Sequence, residues 1–252
     1  MQAIIFDIKR CSQDDGQGIR TTIFFKGCNL NCFWCHNPEG KSKNKQYAFF
    51  ENKCKRCGTC KNEIDKGFEE LVNLCPYGAR KVYGKEYSVK ELLDIILKDK
   101  DYYLATEGGV TFSGGECMLQ VDFITELAKC CKENGVSVAI DTAGNLPYSS
   151  FEKVLPYVDA FLYDIKCLDN NLHKKGTGQD NLLILENLER LTTTGKNILI
   201  RVPVIPNFND NAELEKIKEY CNKHSLKAEF LSYHEYGKDK EKAINFMGEY
   251  ND

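Results

Sequence analysis

Three cysteines in one short loop are the residues whose types and spacing most clearly indicate chemistry. Cys28, Cys32 and Cys35 follow the apolar run at 22–25 and are separated by three and then two residues. A cubic 4Fe–4S cluster needs one terminal ligand on each iron, and cysteine thiolate is the usual ligand. Because no fourth cysteine is close in sequence, the pattern predicts a cluster with one iron open to a ligand from outside the protein.

The same trio could instead hold a structural Zn²⁺ ion, with His36 as the fourth ligand. Structural zinc sites usually divide their thiols between two separated CxxC pairs, whereas this trio is one loop with unequal gaps. Ligand geometry and softness decide which metal binds. Both alternatives therefore stay open on the spacing alone.

A second set of cysteines lies between residues 41 and 87, where the composition becomes polar. Cys54, Cys57 and Cys60 are separated by two residues each, and the more distant Cys75 precedes Pro76. This pattern is typical of bacterial ferredoxins, in which four thiolates close a cubic cluster. It predicts one auxiliary 4Fe–4S cluster that relays electrons or stabilises the fold, and a zinc ribbon is the alternative.

The cysteine trio and its flanks resemble the motifs of a known enzyme family. The Cys-x3-Cys-x2-Cys spacing resembles the cluster motif of the radical S-adenosylmethionine (SAM) enzymes. The segments DGQGIRT at 15–21 and HNPE at 36–39 are similar to those of the glycyl-radical-enzyme activating enzymes, of the pyruvate formate-lyase activating enzyme type. Gln17 stands where that family usually has proline. Cys117 also stands at a position that is usually proline in the family.

The resemblance implies an oxidoreductase that cleaves SAM reductively. The reduced cluster would break the C5′–S bond, and the 5′-deoxyadenosyl radical would remove a hydrogen atom from a glycine α-carbon of a partner glycyl-radical enzyme. It also implies a flavodoxin or ferredoxin-type electron donor, oxygen sensitivity and an anaerobic host. Two alternatives are a radical SAM enzyme that acts on a small molecule, as the deazaguanine-forming enzymes do, and a non-catalytic iron–sulfur electron carrier.

Composition restricts the partners and the compartment. The 252 residues include 34 basic and 37 acidic side chains, so no strong positive field favours nucleic acid. The thirteen cysteines are an odd number at ligand spacings, which favours a metal protein in a reducing compartment over a secreted disulfide scaffold. We expect a cytoplasmic location, because neither a signal-peptide core nor an apolar run of membrane-spanning length is evident. We also expect a monomer.

Strand and helix patterns alternate along most of the chain. Alternating or continuous apolar runs predict strands at 3–8, 20–26, 109–112, 136–140, 160–163, 197–202 and 227–232. Apolar residues at helical spacing predict helices at 88–100, 123–134, 181–193 and 211–224. Such alternation requires a parallel sheet. We expect an α/β fold, a partial (β/α)6 TIM-like barrel from residues 1–40 and 88–252, with a ferredoxin-like iron–sulfur subdomain inserted at 41–87.

Polar residues follow the predicted strands at their carboxyl ends, where parallel α/β folds bind ligands. These residues are Ser113, Gly114, Gly115, Glu116, Asp141, Asp164, Lys166, Arg201 and His234. Asp141 and Asp164 end neighbouring strands, so their carboxylates would repel each other unless a positive group lay between them. The sequence therefore predicts one charged pocket at this edge of the sheet.

The resemblance assigns these residues to parts of SAM. Residues 113–116 would hold the methionyl amino group, and the planar guanidinium of Arg201 would face the methionyl carboxylate. Asp141, Asp164 and Lys166 would surround the ribose and sulfonium. As an alternative, Asp141 could cap the following helix.

The adenosine is assigned to aromatic and amide side chains at the pocket's rim. The residues that the resemblance implies for this contact are Trp34, His36, Asn37 and His234. A lone histidine such as His234 is otherwise usually structural. In some relatives a monovalent cation lies beside the positions of Asp141 and Thr142.

The remaining thiols and the basic run are interpreted without a catalytic role. Cysteines without ligand spacing are expected to be packed or incidentally exposed, namely Cys11, Cys117, Cys130, Cys131, Cys167 and Cys221. The basic side chains between residues 41 and 56 predict a solvated face, with a docking surface for an acidic electron donor as the alternative.

Overall fold

The computed structural model describes residues 1–60 and 67–245. Positions 61–66 of the predicted insert and 246–252 of the predicted barrel lie outside these ranges. The strands are β1 (Gln2–Ser12), β2 (Arg20–Phe25), β3 (Gln46–Phe49), β4 (Arg80–Tyr83), β5 (Lys85–Ser88), β6 (Gly109–Gly114), β7 (Ser137–Thr142), β8 (Ala160–Asp164), β9 (Asn197–Val204) and β10 (Lys227–Ser232). The α-helices are α1 (Phe68–Leu74), α2 (Val89–Ile96), α3 (Lys100–Thr106), α4 (Val121–Glu133), α5 (Tyr148–Val154), α6 (Asn170–Thr177), α7 (Leu182–Thr192), α8 (Ala212–Lys223) and α9 (Tyr236–Asn245).

One large sheet organises the molecule, with the strand order β10-β9-β8-β7-β6-β2-β1-β5. The strands from β2 to β10 in this order run parallel to one another, whereas β1 pairs antiparallel with both β2 and β5. The parallel strands bring all their carboxyl ends to one edge, as the alternating pattern predicted. A mostly parallel α/β sheet is thus confirmed.

Helices cover the sheet because their apolar faces match its buried strands. Val110, Phe112, Val138 and Ile140 in the central strands are fully buried, and α4 contributes Leu127 and its neighbours to the same core. The first of the covering helices, α2, begins at a capping box in which Ser88 and Glu91 satisfy each other's backbone N–H groups. Such a capping box supplies hydrogen-bond acceptors for N–H groups that have no partner within the first turn of the helix.

The predicted helix at 88–100 is interrupted and longer than expected. After α2, a 3-10 turn at Leu97–Asp99 precedes α3, which continues to Thr106. Asp99 is fully buried and binds Arg10 and the hydroxyl of Thr21, so tertiary contacts fix the chain at this turn. A local pattern could not indicate such long-range contacts.

The region predicted as the insert has its own small sheet, in which β3 pairs antiparallel with β4. Ala48, Phe50 and Tyr83 pack with Phe6 of β1 and with α9 in a separate apolar cluster. The boundary predicted at residue 87 differs from the structure, because β5 (Lys85–Ser88) pairs with β1 in the main sheet. In the described part of the chain, no helix has the length and apolarity that a membrane crossing demands.

Candidate functional site

A cavity of about 780 Å³ opens at the carboxyl ends of the parallel strands. It brings together nearly all the residues that the sequence predicted for the SAM site and its cluster. Those that line it are Cys28, Cys32, Trp34, Cys35, His36, Asn37, Ser113, Gly114, Gly115, Asp141, Asp164, Lys166, Arg201 and His234. These residues come from six strands and the loops that follow them, so only the folded sheet places them together.

The loop that carries the three thiols is held by backbone hydrogen bonds at both ends. The amide of Cys28 donates to the carbonyl of Lys41 at 3.0 Å, and the amide of Asn31 donates to the carbonyl of Thr177 at 2.7 Å. The amide of Phe33 donates to the carbonyl of Gly176 at 3.2 Å. The end of α6 therefore supports the loop from outside the cavity.

An apolar cluster fixes the side chains of the same loop. Leu30, Cys32 and Trp34 pack with Ala143 and Ile205 from the carboxyl side of the sheet. The indole of Trp34 also lies 4.8 Å, centroid to centroid, from the ring of Phe208. Because burial of these side chains removes apolar area from water, this packing stabilises the loop.

The glycines of the Ser-Gly-Gly-Glu motif are required by the close approach of this loop. Gly114 has a φ of +122°, and a Cβ there would lie 2.3 Å from the carbonyl oxygen of Phe25. A Cβ on Gly115 would lie 2.3 Å from the carbonyl oxygen of Gly27. Any larger residue would push the motif away from the strand that precedes the thiol loop.

Two charged pairs cross the cavity floor. The hydroxyl of Ser113 donates to Asp141 Oδ2 at 2.6 Å, and Arg201 Nη1 lies 3.6 Å from the same oxygen. Lys166 Nζ donates to Asp164 Oδ2 at 2.6 Å. Positive groups thus lie beside each aspartate, as the repulsion argument predicted.

The charge states of these groups follow from burial and from each other. Burial, with the charge of Asp164 second, raises the pKa of Asp141 to about 6, although Arg201 and Ser113 act in the opposite direction. The attraction of Asp164 and of the neighbouring thiols outweighs burial and raises the pKa of Lys166. Lys166 is therefore charged at neutral pH, and Asp141 takes up a proton at a higher pH than an exposed aspartate does.

All three cysteines of the loop line the cavity; Cys32 is buried, and Cys28 and Cys35 are half-buried. Burial raises the pKa of Cys28 to about 12 and that of Cys32 to about 11, and it raises the pKa of Cys35. The charge of Lys166 lowers the pKa of Cys32 and Cys35 in opposition to burial. A metal centre would supply the positive charge that thiolates need here.

The donor set fits a three-thiolate cluster. In residues 1–60 and 67–245, no three His, Cys, Asp or Glu side chains are placed to hold a single metal ion. A cubic cluster takes one thiolate on each iron, so its ligands need not converge on one point. Three cysteines of one loop that all line the cavity match this requirement, and the other lining residues would be available to a ligand on the fourth iron.

Glu116 does not line the cavity, although the sequence placed it with the residues that do. Its carboxylate accepts from the Thr142 hydroxyl at 2.9 Å, from the Ala143 amide at 2.9 Å and from the Met118 amide at 3.1 Å. It is fully buried, and burial raises its pKa to about 7. The carboxylate connects the ends of β6 and β7 beneath the cavity, and the hydroxyl of Thr142 is engaged there as well.

The rim of the cavity carries an aromatic group. The ring of Tyr236 stacks at 5.5 Å on His234 and lies edge-on to His36 at 6.1 Å. Burial and the neighbouring charge of Lys240 lower the pKa of His36. At neutral pH this ring is therefore mostly uncharged and suited to contact with a flat heteroaromatic ligand.

The second cysteine set lies away from the cavity, near the small sheet. Cys57 is exposed, and Cys54, Cys60 and Cys75 are half-buried. Cys60 Sγ accepts from Arg80 at 3.9 Å, and Cys75 Sγ accepts from the adjacent Ala79 amide at 3.4 Å. Two members of the set therefore approach the same end of β4.

Several residues of the site were not predicted. Asn209 is fully buried and donates to the carbonyls of Lys166 and Pro203, both at 2.8 Å, which fixes the segments after β8 and β9. Lys240 binds the segment after Cys35 from α9. The Asn-rich stretch around 207–211 indicated only a loop, and nothing local marked Lys240.

A family model and curated relatives agree on the class of protein. The model of the Radical SAM superfamily matches residues 22–221. The chain is 41% identical to the trans-4-hydroxy-L-proline dehydratase activating enzyme of Clostridioides difficile, over 95% of this chain and 87% of that protein. It is 35% identical to the choline trimethylamine-lyase activating enzyme of Oleidesulfovibrio alaskensis, over 97% of this chain and 88% of that protein.

A solved structure supports the fold. Streptococcus suis SuiB bound to S-adenosylmethionine matches with a TM-score of 0.55 and 16% identity, over 88% of this chain and 45% of that chain. At this identity the likeness concerns the α/β fold alone. The family model and the activating-enzyme relatives confirm the resemblance that the motifs indicated. The chain belongs to the radical SAM superfamily and, within it, to the glycyl-radical-enzyme activating enzymes.

Proposed function

We propose that this activating enzyme binds its cluster through Cys28, Cys32 and Cys35 and holds SAM in the cavity beside them. The observation that carries the proposal is the convergence of these thiols with two aspartate–cation pairs on one cavity. When bound, the cluster and SAM supply a 5′-deoxyadenosyl radical, which takes a hydrogen atom from a glycine α-carbon of the partner enzyme. The side chains bind, orient and exclude water.

The methionyl end of SAM is assigned to the cavity floor. Backbone carbonyl groups of Ser113, Gly114 and Gly115, which line the cavity, would accept hydrogen bonds from the amino group. Arg201, which lines the cavity, would pair with the carboxylate in addition to its ion pairs with Asp141 and Glu229, because its Nε makes no hydrogen bond within the described residues. Glu116 serves this site indirectly, through the ends of β6 and β7.

The ribose and sulfonium are assigned to the aspartates and Lys166, and the adenine to the rim. A positive sulfonium near Asp141 would favour its charged form, which burial disfavours. A monovalent cation beside Asp141 would act in the same way. Adenine would lie against the flat side chains named for the adenosine, which are Trp34, His36, Asn37 and His234.

The region between the thiol loop and α2 is proposed as a ferredoxin-like subdomain with one auxiliary cluster. Its ligands would be Cys54, Cys57, Cys60 and Cys75. The approach of Cys60 and Cys75 to the same end of β4 supports this assignment. The main sheet is proposed to be a partial (β/α)6 TIM-like barrel.

The wider setting is also a proposal. We assign the enzyme a glycyl-radical enzyme as its protein substrate, a flavodoxin or ferredoxin-type donor, a monomeric state and a cytoplasmic location. The thirteen cysteines are all free of disulfides, which agrees with a reducing compartment. Basic residues of the proposed subdomain would face an acidic donor, although Lys41 and Lys45 already pair with Glu241 and Glu69.

The test is anaerobic reconstitution followed by addition of SAM and dithionite. We expect 5′-deoxyadenosine and methionine from the wild type, and a glycine-centred radical signal when the correct partner is added. Cys28→Ala is expected to abolish all three, whereas Cys130→Ala, a thiol on the outside of α4, is expected to leave them unchanged. Failure of the wild type to make 5′-deoxyadenosine would favour an electron carrier, and cleavage without a glycyl radical in any candidate would favour a small-molecule target.

A further inference from the structure

Helix α9 binds the segment that follows the third cysteine of the thiol loop. Lys240 Nζ lies 2.7 Å from Glu39 Oε1 and donates to Asn37 Oδ1 at 3.0 Å and to the carbonyl of His36 at 3.2 Å. One ammonium thus bridges three residues that lie up to 204 positions earlier in the sequence. Two of them, His36 and Asn37, line the cavity.

The ion pair between Lys240 and Glu39 is important for the local structure because Glu39 is buried. Its side chain is 4% exposed, and its other oxygen, Oε2, has no hydrogen-bond partner within residues 1–60 and 67–245. A buried carboxylate that loses its cation is strongly destabilised in place. Lys240 is the ion-pair partner of the Glu39 carboxylate and, together with Lys26, which donates to the carbonyl of Glu39 at 2.7 Å, it holds the segment from His36 to Glu39.

The backbone of α9 approaches the same segment too closely for a side chain at Gly237. A Cβ there would lie 2.1 Å from the carbonyl oxygen of Cys35. Towards its carboxyl end α9 packs Ala243 and Ile244 against Phe6 and the small sheet. Glu241 adds an ion pair with Lys41 at 3.2 Å. The helix is thus fixed to the rest of the fold and can act as a rigid support.

We propose that Lys240 is a positioning residue for SAM: it places His36 and Asn37 at the adenosine end of the cavity by holding the segment after Cys35. This inference rests on the proposed function of the cavity. Lys240 itself is not among the lining residues, so its effect passes through the segment that it binds.

Three variants on α9 separate this role from a general loss of charge. Lys240→Met removes the ammonium, Lys240→Arg restores a cation that can reach the same acceptors, and Lys242→Met removes a charge from an exposed position on the same helix. Each reconstituted enzyme is assayed for 5′-deoxyadenosine at varied SAM concentration, and its thermal unfolding is recorded. The single tryptophan, Trp34, adds a readout that needs no activity, namely acrylamide quenching in the metal-free protein.

We expect Lys240→Met to raise the KM for SAM about tenfold, as loss of a charged hydrogen-bond network would, with a smaller change in kcat. Quenching of Trp34 should increase, Lys240→Arg should recover most of both effects, and Lys242→Met should match the wild type. A Lys240→Met enzyme that unfolds earlier but keeps its KM and its Trp34 quenching would overturn the proposal, as would equal effects of Lys242→Met. If the wild type cleaves no SAM, the proposed function fails, while the Trp34 measurement still tests the support by Lys240.

Discussion

Asp141 offers the sharpest test of the electrostatics of the cavity floor. The substitution Asp141→Asn keeps the size and the acceptor for Ser113 but removes a negative charge that burial disfavours. Because the pKa of Asp141 is raised from 3.8 to about 6 in the folded chain, the folded protein binds this proton more tightly than the unfolded chain does. The wild type therefore loses stability as the pH rises through this window, and Asp141→Asn should not.

The magnitude follows from the same pKa. Each tenfold difference in proton affinity corresponds to about 1.4 kcal/mol, so the charged carboxylate costs the folded state about 3 kcal/mol at pH 8. Near pH 5 the folded carboxyl is still mostly protonated, and about half of this cost is already present. The stability difference between Asp141→Asn and the wild type should thus shift in favour of the variant by about 1.5 kcal/mol between about pH 5 and about pH 8.

The assay is urea unfolding of the metal-free proteins at both pH values, followed by Trp34 fluorescence and circular dichroism. Asp122→Asn is the matched control, because Asp122 is an exposed partner of Lys153 at 2.7 Å on the surface. The pH shift of the Asp141→Asn difference is read relative to that of Asp122→Asn. An Asp141→Asn difference that is constant with pH, or that shifts against the variant, would refute the argument that burial outweighs Arg201 at this site.

Three further substitutions test the packing and pairing around the cavity. Gly176→Ala would place a Cβ 2.3 Å from an aromatic ring carbon beneath the thiol loop, so we expect a loss of about 1–3 kcal/mol in unfolding free energy and altered Trp34 fluorescence. Gly67→Ala, whose Cβ would have no atom of residues 1–60 and 67–245 within 4 Å, should leave the Trp34 fluorescence unchanged. Lys166→Met removes the cation from the half-buried carboxylate of Asp164 and should cost about 1–3 kcal/mol in urea unfolding, and a loss below about 0.5 kcal/mol would contradict the pairing. Asn209 does not line the cavity, but it makes hydrogen bonds that fix the ends of two strands, and Asn209→Leu removes them. We therefore expect Asn209→Leu to weaken SAM binding in equilibrium titration. Unchanged binding would show that those strand ends are held by other contacts.

Much of the fold could be predicted because its signals are local. Apolar runs identified β6, β7 and β8, most of whose residues are buried. The edge strand β10 is largely exposed, yet it has the predicted bounds. The predicted strand at 3–8 was too short, since β1 extends to Ser12 through polar residues that pair irregularly with β2. The short helices α5 and α6 were not predicted, because seven or eight residues carry too few apolar positions to show a helical period.

Some features of the candidate site could likewise be predicted from the sequence, and others could not. Ligand spacing within one loop and polar residues at strand ends were visible in the chain, because both depend on neighbours a few positions apart. The direction of the Glu116 carboxylate was not, since it depends on the hydroxyl of Thr142 in β7 and on the amide of Ala143 after that strand. Nor was the end of the predicted insert, because the pairing of β5 with β1 joins residues more than 80 positions apart, such as Ala3 and Tyr87.

The sequence by itself determined the chemistry that this protein can hold: three thiols in one loop, a glycine pair where the chain passes close to that loop, and charges placed after consecutive strands. Only the tertiary structure decided which of those groups face the cavity and which support it from below or outside. The physical reason is that burial and hydrogen-bond partners, which set the charge of Asp141 and engage Glu116 and Lys240, are supplied by distant segments of the chain.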